Sequence, residues 1–148
     1  DPERVGITGG SYGGYVTALA LVKESKTFKY GIAQYSVTDW QLYDSVYTER
    51  YMDTPQQNPD GYRESSVLTH VEAYRGGLFL THGTVDDNVH MQNTMQLADK
   101  LQDARKPFQM MIYPRNRHGI RGIKREFDMK LEMDFWMRSF FNKPFITE

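Results

Sequence analysis

The run Gly9-Gly10-Ser11-Tyr12-Gly13 constrains this chain more than any other stretch, because of what stands on either side of it. Residues 4–8 alternate Val5 and Ile7 with smaller or polar residues, which is the period of a strand. Residues 15–22 are almost wholly apolar, as in a helix buried on most sides, and charges begin at residues 23–26, where that helix should end. A strand that enters a helix through so short a turn must bend sharply. Glycines two before and two after the serine remove side chains that would collide there. The hydroxyl of Ser11 is then held clear of the sheet, and the N–H of Tyr12 points toward a developing oxyanion. A dinucleotide fingerprint would need Gly-x-Gly-x-x-Gly, a spacing that Gly9, Gly10, Gly13 and Gly14 do not supply. A glycine-rich turn without chemistry is the plain alternative.

Strand and helix patterns continue to alternate along the chain. Residues 30–36 read as a second strand, 77–82 as a buried third and 108–113 as a fourth that Pro114 stops. Residues 39–52 are helix-compatible, with Trp40, Tyr43, Tyr47 and Tyr51 spaced along one face, and residues 58–61 break the pattern. A short helix fits residues 66–74. Residues 91–105 read as an amphipathic helix with Met95, Leu97, Ala98 and Leu101 inward, and residues 124–141 as a last helix with Phe127, Leu131, Phe135, Trp136 and Phe140 as its apolar stripe. The expected fold is therefore α/β: a parallel sheet of about four strands with helices on both faces. No repeat, low-complexity tract or internal linker divides residues 1–148, which read as one domain.

Composition narrows the function classes. At 39% hydrophobic and 25% charged the chain can bury a core, and a formal net charge of -1 without basic runs gives no footprint for nucleic acid. No apolar stretch reaches the roughly 18 residues a membrane-crossing helix needs. The absence of cysteine excludes disulfides and thiolate metal sites. The chain opens Asp1-Pro2-Glu3-Arg4 without an initiator Met and enters a strand at once, as a chain cut from something longer would.

A serine hydroxyl is a poor nucleophile until a base takes its proton, so an acid and a histidine should follow in the order Ser, Asp, His. Asp86 and Asp87 lie just past the third strand and His118 past the fourth, at the carboxyl edge of a parallel sheet where sites assemble. Spacing leaves the choice between the two aspartates open. Among the other histidines, His70 reads as a surface or packing residue, His82 as a strand-end residue bonding backbone around the acid loop, and His90 as a helix cap or packing residue. His118 alone sits in a strand-to-helix loop, between Arg117 and Gly119.

The segments Gly9 to Tyr15, Tyr43 to Met52, His82 to His90 and His118-Gly119 together resemble the dipeptidyl peptidase IV-like branch of the prolyl oligopeptidase family, bacterial type. The likeness runs over nearly the whole chain. It implies Ser11 as nucleophile, Asp86 rather than Asp87 as orienting acid, His118 as base and Tyr12 as an oxyanion donor. It further implies that Val37, Trp40, Tyr43, Tyr47 and Val89 line a pocket for proline before the scissile bond, with Asn88 bonding the substrate backbone. On periodicity alone, Tyr43 and Tyr47 would be ordinary helix packing. The activity implied is release of N-terminal X-Pro, or less well X-Ala, dipeptides, with no metal or organic cofactor, in a periplasmic or secreted setting. An acylaminoacyl peptidase or esterase could use the same three residues.

Departures from the family pattern bear on activity. The family's domain is an eight-stranded α/β-hydrolase sheet whose nucleophile follows the fifth strand, so this chain corresponds to its C-terminal half. The partners expected are a peptide substrate and the remainder of a parent chain: the first half of the hydrolase domain and an N-terminal β-propeller with the acidic pair that holds the substrate amine. The upstream tyrosine that completes the oxyanion hole is also outside these residues. Alone, the chain is expected to be weakly active or inactive, or to be a non-catalytic fragment that forms a homo-oligomer through its open sheet edge, beside Val5 and Ile7. Gly10 stands where relatives often carry a bulky aromatic, and Arg115-Asn116-Arg117 where some are acidic.

Overall fold

The computed structural model describes residues 1–146. Four strands, β1 (Gly6–Gly10), β2 (Tyr30–Gln34), β3 (Gly77–Gly83) and β4 (Gln109–Tyr113), form one sheet in the order β1-β2-β3-β4. Every pairing is parallel, with Gly10 opposite Gln34, Gln34 opposite Thr81, and Gly83 opposite Tyr113. The carboxyl ends of the strands are therefore nearly level, and the loops that leave them gather along one edge of the sheet.

Helices cover both faces. On one lie α1 (Tyr12–Lys23) and α4 (Gln92–Asp103), and their buried Leu21, Val22, Leu97 and Leu101 join Ala33, Leu78 and Leu80 of the sheet. On the other lies α5 (Ile123–Phe141), with Phe135 against Ile32 and Phe79. Residues that alternate along a strand face opposite sides, so Leu78 and Leu80 serve the first core while Phe79 serves the second. Gly6 keeps β1 close to α5, since a Cβ there would sit 2.5 Å from the Trp136 ring.

Several elements differ from the expectations. Residues 39–52 are not one helix: a 3-10 turn, Trp40–Leu42, precedes α2 (Ser45–Met52), and Tyr43 between them is extended. Two aspartates impose the split, Asp39 accepting from the N–H of Gln41 and Asp44 from that of Tyr47, each at 2.8 Å. Asn58 does not break the chain. It caps α3 (Pro59–Ser65), accepting from the N–H of Gly61 at 3.1 Å, and Pro59 supplies a first residue whose missing N–H costs nothing. The short helix expected over residues 66–74 is present as a 3-10 helix, Val67–Ala73. Met95 is 43% and Phe127 48% exposed, so neither belongs to the inward stripe expected of it.

Candidate active site

Ser11 joins β1 to α1 at φ 58 and ψ −121, a region that non-glycine residues occupy only under constraint. Two backbone bonds hold it there: its N–H donates to Gln34 O at 3.0 Å and its carbonyl accepts from the N–H of Tyr15 at 3.0 Å. Gly9 is required by close approach, because a Cβ on it would lie 2.5 Å from the carbonyl carbon of Gly13. Gly13 itself differs from the expectation, since a Cβ there would meet no atom within 4 Å. The Ser11 side chain makes no cap to α1 and so keeps its hydroxyl for other partners. Tyr12, as the first residue of α1, has an N–H without an intrahelical acceptor.

The hydroxyl meets His118, whose Nε2 lies 2.8 Å from Ser11 Oγ. The other ring nitrogen, Nδ1, lies 2.9 Å from Asp86 Oδ2. Because an ionised carboxylate only accepts, the Nδ1–H donates to Asp86 and Nε2 is left to accept from the serine. Asp86 has a fully buried side chain, yet all its demands are met. Its Oδ1 accepts from the N–H groups of Asn88 and Val89, each at 3.0 Å, and its Oδ2 also lies 3.2 Å from His82 Nε2. Asp87, the alternative, points outward and pairs with Arg117.

His82 supports the acid more directly than a backbone role alone would. Its Nε2 donates to Val89 O at 2.8 Å and its Nδ1 accepts from Thr94 Oγ1 at 2.8 Å, so the ring bolts the loop of residues 83–90 to α4. Burial pushes its pKa down, against the raising effect of the Val89 carbonyl and Asp86. His70 bonds Glu64 O, and His90 lies at the exposed entry to α4.

Beside Ser11 is a hollow of about 160 Å³ lined by Ser11, Tyr12, Val37, Trp40, Tyr43, Tyr47 and Val89. Its aromatic wall is a chain of ring contacts: Trp40 lies 6.0 Å from both Tyr43 and Tyr47, and these two lie 5.4 Å apart. Asn88 adjoins this wall through its Oδ1, which accepts from the Tyr43 hydroxyl at 2.7 Å. Burial, and then the neighbouring Asp44, push the Tyr43 phenol up, so it is a neutral donor near neutrality. The structure thus brings Ser11, Tyr12, Asp86 and His118 together with Val37, Trp40, Tyr43, Tyr47 and Val89, while Asn88 does not line the hollow and joins the site through Tyr43.

Two features were not legible in advance. Tyr35, just past β2 at φ 36, lays its ring edge-to-face on His118, with centroids 4.8 Å apart and planes at 70°. It occupies the space that a side chain at Gly10 would need, as a Cβ on Gly10 would lie 2.5 Å from Tyr35 Cζ. Its place at a strand's carboxyl end is a hint of a site position, but no local pattern pairs it with His118. Secondly, a larger hollow of about 470 Å³ shares Tyr12, Trp40 and Tyr47 with the first and reaches Tyr15, Thr48, Tyr51 and Met52.

A parallel sheet, a strained serine in a strand-to-helix turn and a hydrogen-bonded Ser–His–Asp series have the geometry of an α/β-hydrolase site. The model of the prolyl oligopeptidase family matches residues 1–143, and the chain belongs to that family. It is 44% identical to dipeptidyl peptidase 4 of Sus scrofa, over 97% of this chain and 19% of that protein. With a probable dipeptidyl-aminopeptidase B of Neurospora crassa it shares 49% identity, over 81% of this chain and 13% of the other. The crystal structure of Porphyromonas gingivalis dipeptidyl peptidase 4 superposes with a TM-score of 0.91 at 44% identity, over 94% of this chain and 20% of that one. The chain thus spans one fifth or less of the length of these relatives.

Proposed function

We propose that this chain carries the nucleophile, base, acid and proline pocket of a serine dipeptidyl aminopeptidase, as the corresponding part of a prolyl oligopeptidase-type catalytic domain. The observation that supports this most is one contiguous arrangement: Ser11 Oγ, 2.8 Å from His118 Nε2, opens directly onto the aromatic hollow. An engineered cavity of about 150 Å³ holds a benzene ring, so a hollow of 160 Å³ suits a single pyrrolidine. Flat aromatic faces complement that rigid ring and offer little to a flexible polar side chain.

The chemistry follows from the hydrogen bonds. With the substrate proline in the hollow, Ser11 Oγ attacks its carbonyl carbon while His118 Nε2 takes the hydroxyl proton. The oxygen that gains charge faces the N–H of Tyr12. Asp86 stabilises the imidazolium through Nδ1, and being itself held by two N–H groups it need not move to do so. The tetrahedral intermediate collapses as His118 returns the proton to the departing amine. Water then attacks the acyl-serine, with His118 as base again, and releases the dipeptide.

The relatives named above are dipeptidyl peptidases, which does not favour the acylaminoacyl-peptidase or esterase reading. Steady-state assay of the protein that carries this segment decides between them. Gly-Pro-anilide is expected to turn over with a kcat/KM well above that of N-acetylated Gly-Pro-anilide and of short acyl esters. A preference for the acetylated substrate or the esters would refute the dipeptidyl reading.

A further inference from the structure

Next to His118, the loop that follows β4 forms a third hollow, of about 340 Å³, which shares no lining residue with the one beside Ser11. Its walls include Asp87, Asn116, His118 and three arginines, Arg115, Arg117 and Arg121. Arg117 is paired with Asp87, but no carboxylate among the described residues pairs with Arg115 or Arg121. The hollow therefore carries two uncompensated positive charges.

The backbone that presents them is fixed. The Arg115 N–H donates to Thr84 Oγ1 at 3.0 Å, the Val85 N–H donates to Asn116 O at 3.1 Å, and the Arg121 N–H donates to Asn116 Oδ1 at 2.9 Å. The first two bonds tie the base loop to the acid loop and the third closes the base loop on itself, so the backbone that carries Arg115 and Arg121 is fixed relative to His118.

Direction along the substrate comes from the proton. The His118 Nε2 that faces Ser11 must deliver its proton to the departing amine, so the peptide beyond the scissile bond passes the histidine. The acyl side belongs to the aromatic hollow. Resting on the peptidase reading above, we propose that the hollow beside His118 is a subsite for the leaving peptide, in which Arg115 and Arg121 select an aspartate or glutamate side chain. Guanidinium groups suit this ligand, because their planar fork matches a carboxylate.

Two C-terminally amidated peptides, Gly-Pro-Asp-Ala-amide and Gly-Pro-Lys-Ala-amide, differ only in the charge offered to the hollow, and Gly-Pro-anilide has no leaving peptide. At low salt the expected kcat/KM for the Asp peptide exceeds that for the Lys peptide by about fivefold, the scale of two exposed ion pairs. Raising ionic strength to about 0.5 M should bring the ratio toward one, because exposed charges are screened. Replacing Arg115→Asp with Arg121→Glu should invert it; aspartate tolerates the left-handed backbone that Arg115 adopts at φ 66. A wild-type ratio of one at low salt, with Gly-Pro-anilide cleaved, would overturn the subsite and leave the peptidase reading standing. Failure to cleave the anilide would overturn that reading and the subsite with it. Should the double variant not fold, the wild-type salt titration decides alone.

Discussion

Ser11 sits at φ 58 because its surroundings leave it no other choice, and the strain is what turns its hydroxyl away from the helix it begins. A relaxed serine at that position would cap α1. The same economy recurs at Asp86, where two N–H groups, His82 and His118 consume the carboxylate's lone pairs and leave it one orientation. Gly10 and Tyr35 are a third case: the glycine is empty so that the tyrosine ring can lie on His118. Their coupling is measurable. Gly10→Ala should cost about 1–3 kcal/mol in urea unfolding, the scale of overpacking, and should cost clearly less in a Tyr35→Ala background. Equal costs in both backgrounds would mean that the two positions do not compete for one space.

At the scale of elements, four strands and the long helices were legible because burial imposes a strong period on them. β3, with Leu78, Phe79 and Leu80 all buried, could only be a central strand. The positions of Ser11, the acid loop and His118 were legible for a related reason, since parallel strands of level register bring the residues after Gly10, Gly83 and Tyr113 to one edge; the choice of Asp86 over Asp87 and the aromatic pocket came only with the family resemblance. What could not be read was decided by single hydrogen bonds. Asp44 could have continued a helix through residues 39–52, but its carboxylate takes the N–H of Tyr47 and starts α2 afresh. Asn58 likewise reads as a breaker, yet its side chain begins α3. The contact of Tyr35 with His118 joins residues distant in sequence, and no local pattern announces it. Met95 and Phe127 carry the right period for burial but lie where no neighbouring element covers them.

For the whole molecule, His82 links the site to stability. It is fully buried and hydrogen-bonded as a neutral ring, with Asp86 and His118 as the titratable groups facing it, and its pKa in the fold lies below the ordinary 6.5. The unfolded chain therefore binds more protons than the folded one once pH falls below about 6.5. Stability from this group is complete above that pH and is lost as pH falls toward the folded value, with a slope of up to about 1.4 kcal/mol per pH unit. Chemical denaturation between pH 7.5 and roughly 5 should show the decline, and His82→Gln should flatten it. A decline of the same steepness in the variant would place its origin elsewhere.

The proposed peptidase chemistry depends on Ser11 being activated by His118 and Asp86. Fluorophosphonate labelling, with the modified residue mapped by mass spectrometry in the protein that carries this segment, tests that activation most directly. A single rapid adduct on Ser11 is expected, absent in Ser11→Ala and slowed by about a thousandfold or more in His118→Ala. An adduct on another residue, or one that forms on Ser11 equally fast without His118, would contradict that activation.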